Sequence, residues 1–137
     1  MTAPRGRGAG PSPPCPCGSG AAYPACCGRW HDGPQRLAAP DAERLMRSRY
    51  AACVLGLEGY LLDTWHPSTR PGDLALAGDA TRWLGLEVRA HRRIDDTHAS
   101  VEFVARSRTG GRGHRLHELS RFVREAGRWW YVDGELR

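Results

Sequence analysis

At 137 residues, 40% of them hydrophobic, the chain has material for one modest core and a small appendage but not for two full domains. Its net charge of +5 rests on 20 arginines with no lysine; they are scattered from Arg5 to Arg137, so a solvated basic surface competes with contact to RNA or another polyanion. No apolar run approaches the roughly 20 residues that a membrane span needs, and the first fourteen residues lack the apolar stretch of a signal peptide, so a soluble, cytoplasmic protein is the expectation.

Residues 1–14 are rich in Gly, Pro and Arg and hold nothing that would bury a core, which predicts a disordered tail. Residues 15–33 then gather four of the five cysteines into C-P-C-G-S-G-A-A-Y-P-A-C-C. Clustered thiols without an export signal point to metal rather than to disulfides. Cys15 and Cys17 lie one residue apart, Cys26 and Cys27 are adjacent, and Gly18 and Gly20 supply bends that bring the two halves round one ion. Four thiolates in a tetrahedron suit Zn2+. His31, four residues after Cys27, is the substitute for Cys27 if a helical turn separates them. The plain alternative, buried thiols or a bridge, fares badly: a bond between Cys26 and Cys27 is strained, and Tyr23 and Trp30 are the only large apolar side chains in the segment. Four protein ligands leave no open position, so the site reads as structural.

Residues 34–40 form a short linker ending in Pro40, with Asp41 as the N-cap of a helix. Leu45, Met46, Tyr50, Cys53, Val54 and Leu57 recur at helical spacing and predict an amphipathic helix from Asp41 to about Leu57, with Arg44, Arg47 and Ser48 on its polar side. A second helix is expected over about Glu58 to Thr64. The loop TWHPSTRPGD follows, closed to helix by Pro67 and Pro71. Period two then takes over in four segments, about Trp83–Arg93, Ala99–Arg108, His114–Arg124 and Arg128–Asp133, separated by turn-forming Asp95-Asp96, Gly110 to Gly113 and Ala126-Gly127. Short turns between consecutive strands predict an antiparallel meander covered on one face by the helices, an α+β fold. On its first two strands Leu84, Leu86 and Val88, and Val101, Phe103 and Ala105, are expected to face inward.

The segment CPCGSGAAYPACCG resembles the SEC-C motif, a zinc-binding knuckle known from the C-terminus of the SecA translocation ATPase. APDAERLMRSRYAA, YLLDTWHPSTRP, VEFVAR, HELSRFVRE and GRWWYVDG resemble the YchJ family of small bacterial proteins, and the likeness runs from Cys15 to Gly134. It implies a zinc knuckle over 15–33 and a nuclear transport factor 2-like domain over 34–137, a curved antiparallel sheet wrapped round helices into a cone with a cavity. Two departures stand out. Ala21 and Ala22 replace the lysines of the common motif, which removes charge that would attract an acidic partner, and the motif occurs once. The resemblance implies a fold and a metal rather than an activity.

Leu116, Glu118, Ser120 and Phe122 share one face of the third strand, so Glu118 and Ser120 would project into such a cavity. Buried polar groups need partners, and His66 and Arg70 of the loop, or Arg47 and Arg49 of the helix, are candidates; the plain alternative is an internal salt bridge to Glu118 and a backbone bond to Ser120. Trp65, Trp83, Trp129, Trp130 and Tyr131 read as core and sheet-packing aromatics rather than as a stacking platform for bases, and Cys53 as a core thiol. Three functions follow. The first is a zinc-containing binding module whose knuckle docks a protein partner and whose cone holds a small ligand. The second is a hydrolase, isomerase or dehydratase using Glu118 or His66 as base. The third is an RNA- or ribosome-associated factor.

Overall fold

The computed structural model describes residues 13–74 and 81–137, so the expected tail lies outside the described residues except for Pro13 and Pro14. These two are part of the knuckle: Tyr23 N–H donates to Pro13 O at 3.0 Å, and Pro14 bridges Ala22. A single turn of 3-10 helix over Tyr23–Ala25 leads to α1 (Gly28–His31), followed by α2 (Ala42–Leu55) and α3 (Glu58–Asp63). Four strands complete the chain: β1 (Arg82–Arg93), β2 (His98–Thr109), β3 (Arg112–Glu125) and β4 (Arg128–Leu136). They pair antiparallel in the order β1-β2-β3-β4, the expected meander.

Asp41 caps α2 by accepting the Arg44 N–H at 2.7 Å. The helix stops before Leu57 because Gly56 takes the left-handed conformation, φ 74°, and sends its N–H back to Ala52 O. Leu45, Met46, Tyr50 and Ala52 of α2 and Tyr60 and Leu61 of α3 pack on Ala99, Val101, Phe103, Ala105, Phe122 and Trp129 of the sheet. The α2 periodicity misleads at two positions. Val54, expected inside, is exposed, and Ser48, expected on the polar side, is wholly buried, its Oγ donating to Leu45 O and sharing a 2.7 Å bond with Tyr60 Oη. The reason is that α2 is covered twice, by the sheet on one side and by the knuckle on the other, with Ala51 packed against the cysteines.

Strand β1 carries one correction as well. Leu84 does not face inward with Leu86 and Val88; a bulge between Trp83 and Gly85 turns it out to 53% exposure and brings Trp83 to the core instead. The loop after α3 is stitched to β4, with Tyr131 N–H donating to Thr64 O at 2.9 Å and His66 N–H to Tyr131 O at 2.7 Å.

Both later hairpins turn on two residues at positive φ. Gly110 and Gly111 serve between Thr109 and Arg112, but the β3–β4 turn uses Ala126 (φ 54°) before Gly127 (φ 77°). A Cβ in the left-handed region costs about 1–2 kcal/mol. Ala126→Asn is therefore expected to raise the melting temperature by a few degrees in a thermal scan, and an unchanged or lower value would count against a strained turn.

Candidate metal centre and cavity

The knuckle is built from backbone bends rather than from a core. Cys15 N–H donates to Ala21 O at 2.9 Å, Gly18 N–H to Cys15 O at 3.1 Å, and Gly18 and Gly20 sit at φ 80° and 90°, a conformation open to glycine. Cys26 N–H returns to Tyr23 O, and α1 begins at Gly28, where a side chain would strike Tyr23 O. These turns bring Sγ of Cys15, Cys17, Cys26 and Cys27 within 4.8 Å of one another. Four sulfurs about 2.3 Å from a common centre have edges of about 3.8 Å, and Cys17 Sγ and Cys26 Sγ stand 3.7 Å apart. None of the five cysteines is in a disulfide. The donor set thus fits one tetrahedral divalent ion. Hydrogen bonding from the Cys27 thiol draws Cys17 down, and the same bond with burial pushes Cys27 up.

His31 is not in the four-sulfur group. Its Nε2 lies 2.8 Å from Ser48 O, and a carbonyl only accepts, so the proton is on Nε2. The Nδ1 lone pair then takes the Tyr23 hydroxyl at 2.6 Å. Burial holds the ring below its ordinary pKa, in keeping with this neutral form. With both nitrogens engaged and Tyr60 packed edge-on at 4.7 Å, His31 is a clamp that ties the knuckle to α2. Arg47 is a second tie: Nη1 donates to Cys17 O at 3.1 Å and lies 4.0 Å from Cys17 Sγ, while Nε pairs with Glu43 at 3.0 Å. A cation beside the cluster offsets the negative charge that four thiolates carry.

The second feature is a cavity of about 170 Å³ between α2 and the sheet. Leu116, Glu118, Ser120 and Phe122 all line it, together with Arg49, Tyr50, Cys53, Trp65, Trp83 and Tyr131. Ser120 Oγ donates to Glu118 Oε2 at 2.5 Å, and Tyr131 Oη to the same oxygen at 3.4 Å. Among the described residues, neither the internal salt bridge to Glu118 nor the backbone bond to Ser120 expected as the plain alternative is formed. The carboxylate also lies against Gly134, where a Cβ would collide with it. His66 and Arg70, expected beside Glu118, do not line the cavity. His66 is held at the sheet margin by Ser68 (2.8 Å) and Glu125 (3.0 Å), and Arg70 Nε donates to Trp65 O. The cause is the bridge between Trp65 and Tyr131, which carries the loop outward along β4.

Residues 41–134 match the family model described as the YchJ middle domain, NTF2-like. The UPF0225 protein of Bordetella pertussis is 61% identical over 120 residues, covering 88% of this chain and 90% of its own length. The chain belongs to the YchJ family. A UPF0225 protein of Cupriavidus metallidurans is 57% identical over 139 residues, 97% of this chain and 96% of that one. Two solved structures are similar. A SEC-C motif-containing protein of Rhodopseudomonas palustris is 36% identical with a TM-score of 0.76, covering 88% of this chain and 96% of that one. A SEC-C motif-containing protein of Psychrobacter arcticus is 33% identical with a TM-score of 0.72, covering 90% and 82%.

In this YchJ chain the α+β cone behind an N-terminal cysteine cluster is the fold that the resemblance implied. Among the described residues no helix is long and apolar enough to cross a membrane. The sequence suggested Arg47 and Arg49 as possible partners of Glu118, and gave no sign that Ser48 is buried or that the Tyr131 hydroxyl reaches Glu118. For Arg49 the signal was present: an arginine beside Tyr50, inside the apolar register of α2, is a cation placed on a buried face.

Proposed function

We propose that this YchJ protein is a zinc-containing binding module, with Zn2+ on Cys15, Cys17, Cys26 and Cys27 and the knuckle docking a protein partner in the cytoplasm. What supports the docking reading is a groove of about 300 Å³ between the knuckle and the start of α2, lined by Ser19, Cys26, Arg29, Trp30, Asp41 and Arg44 among others. Arg44 is neutralised by Asp41 at 3.3 Å and Arg47 by Glu43 at 3.0 Å. Arg29 is exposed, lies 4.6 Å over the Trp30 ring, and among the described residues has no carboxylate within 4.0 Å. A cation over an aromatic ring at the lip of a groove suits a carboxylate-bearing peptide segment. The Arg29→Glu variant is expected to lose at least tenfold in capture of partner protein in pull-downs while keeping one zinc per chain. Capture equal to that of the unaltered protein would count against docking through the knuckle.

A second reading rests on the cavity. Glu118 beside Ser120, Tyr131 and Arg49 in apolar surroundings supports a ligand site in the cone and leaves Glu118 as the one candidate base of the small-molecule enzyme alternative, His66 lying elsewhere.

A further inference from the structure

We infer that the cavity of the cone is a receptor for a small carboxylic acid with an apolar or aromatic body and a hydroxyl or amino group near the carboxylate, an inference that rests on the reading that the cone holds a small ligand. Arg49 carries the argument. Both of its hydrogen bonds to protein leave from Nη1, to Leu61 O at 2.8 Å and Thr64 Oγ1 at 2.7 Å. Nε and Nη2 have no protein partner among the described residues and are not sealed off, while the side chain lines the cavity. No carboxylate stands within 4.0 Å of it among the described residues. Its guanidinium carbon lies instead 4.3 Å from the centre of the Tyr131 ring and 5.1 Å from that of the Trp65 ring, two rings that meet edge-on beside it.

Desolvation draws Arg49 down to about 10, which leaves it cationic at neutral pH. A cation held in apolar surroundings with two donors free and no carboxylate in direct contact is poorly satisfied by the protein alone. The fork of Nε and Nη2 matches the two oxygens of a carboxylate.

The rest of the cavity sets what the acid carries. Glu118 spends Oε2 on Ser120 and Tyr131 and leaves Oε1 with no donor among the described residues, so it is placed to accept a hydrogen bond from a ligand hydroxyl or ammonium. Burial pushes the Tyr131 phenol up to about 12, which keeps it a donor to Glu118. One cation and one carboxylate in the same space disfavour a phosphate dianion and match a monoanion with a donor group. Phe103, Phe122, Trp65 and Trp83 supply the apolar wall. The volume of about 170 Å³ equals that of about five or six waters, or a molecule of roughly ten non-hydrogen atoms.

The test uses the full-length, zinc-loaded protein and three probes of that size: mandelate, phenylacetate and neutral 2-phenylethanol. Titration followed by amide and arginine Nε–Hε shifts is expected to rank them in that order, with mandelate at least tenfold tighter than 2-phenylethanol and the Arg49 Hε signal moving most with the two acids. Arg49→Met should erase the preference for the acids, and Ala105→Leu, which fills the cavity without touching a polar group, should abolish binding of all three. If Arg49→Met fails to fold, the ranking in the unaltered protein decides by itself. Equal affinity for 2-phenylethanol and the acids would overturn the carboxylate assignment and leave a ligand-holding cone standing. Failure of all three probes to shift cavity resonances would overturn both.

Discussion

Replacing Cys17 by serine is expected to abolish stoichiometric zinc, scatter the knuckle and lower the melting temperature by about 10 °C or more, while the four-stranded sheet persists. The unaltered protein should carry one zinc per chain by elemental analysis. The expectation follows from what the knuckle lacks. Among the residues from Pro13 to Trp30, Trp30 is the only large apolar side chain that is buried, and the remaining order of the segment comes from backbone turns that water competes for. A structural zinc contributes about 10–16 kcal/mol in small zinc-binding peptides, more than these contacts supply. The main core of Leu45, Val101 and Phe122 is a cluster separate from that of the cysteines, with Leu86 of β1 packed against both, so sheet amides should largely keep their dispersion in heteronuclear spectra while those of residues 15–31 collapse. A metal-free protein with an intact knuckle, or a Cys17→Ser variant that still binds one zinc, would sink the assignment.

The second large effect belongs to His31. His31→Ala is expected to cost about 2–4 kcal/mol in chemical denaturation, because it removes a buried ring from between Tyr23, Tyr60 and Ser48 and strands the Tyr23 hydroxyl. Zinc content should stay at one per chain, since Nε2 is protonated and the Nδ1 lone pair is already taken by the Tyr23 hydroxyl. Tyr23→Phe, which deletes one bond and keeps the ring, should cost about 1 kcal/mol. Zinc lost from His31→Ala in step with Cys17→Ser would mean that the imidazole is a ligand after all.

Much of this molecule can be read along the chain because its patterns are local. The Asp41 cap, the period of α2, the four alternating strands and the turn residues between them lie within a few positions of what they control, and the observed strands match the expected ones to within three residues at each end. The cysteine spacing is equally local, since two tight turns suffice to gather four sulfurs. The misses share a cause. Ser48 and Ala51 look like polar-side and indifferent residues until a second body packs on that side of α2. Leu84 and Trp83 exchange faces because of one bulged residue, which alternation alone does not register. His66 and Glu118 are both reasonable acid–base residues, but whether they meet depends on where a loop 52 residues away in sequence crosses β4, and it crosses outside the cavity.

By itself, then, the amino-acid sequence determined the order of elements, the antiparallel meander and which four cysteines gather, all matters of short-range spacing, turn chemistry and side-chain type. The tertiary structure alone decided that both His31 nitrogens bond to Tyr23 and Ser48, that Arg47 reaches Cys17 and Glu43 rather than Glu118, and that Arg49 faces a hollow with donors to spare. Those outcomes hinge on distances of a few ångströms between segments far apart in the chain, set by how the knuckle, α2 and the curved sheet share one small volume, and no one-dimensional pattern encodes them.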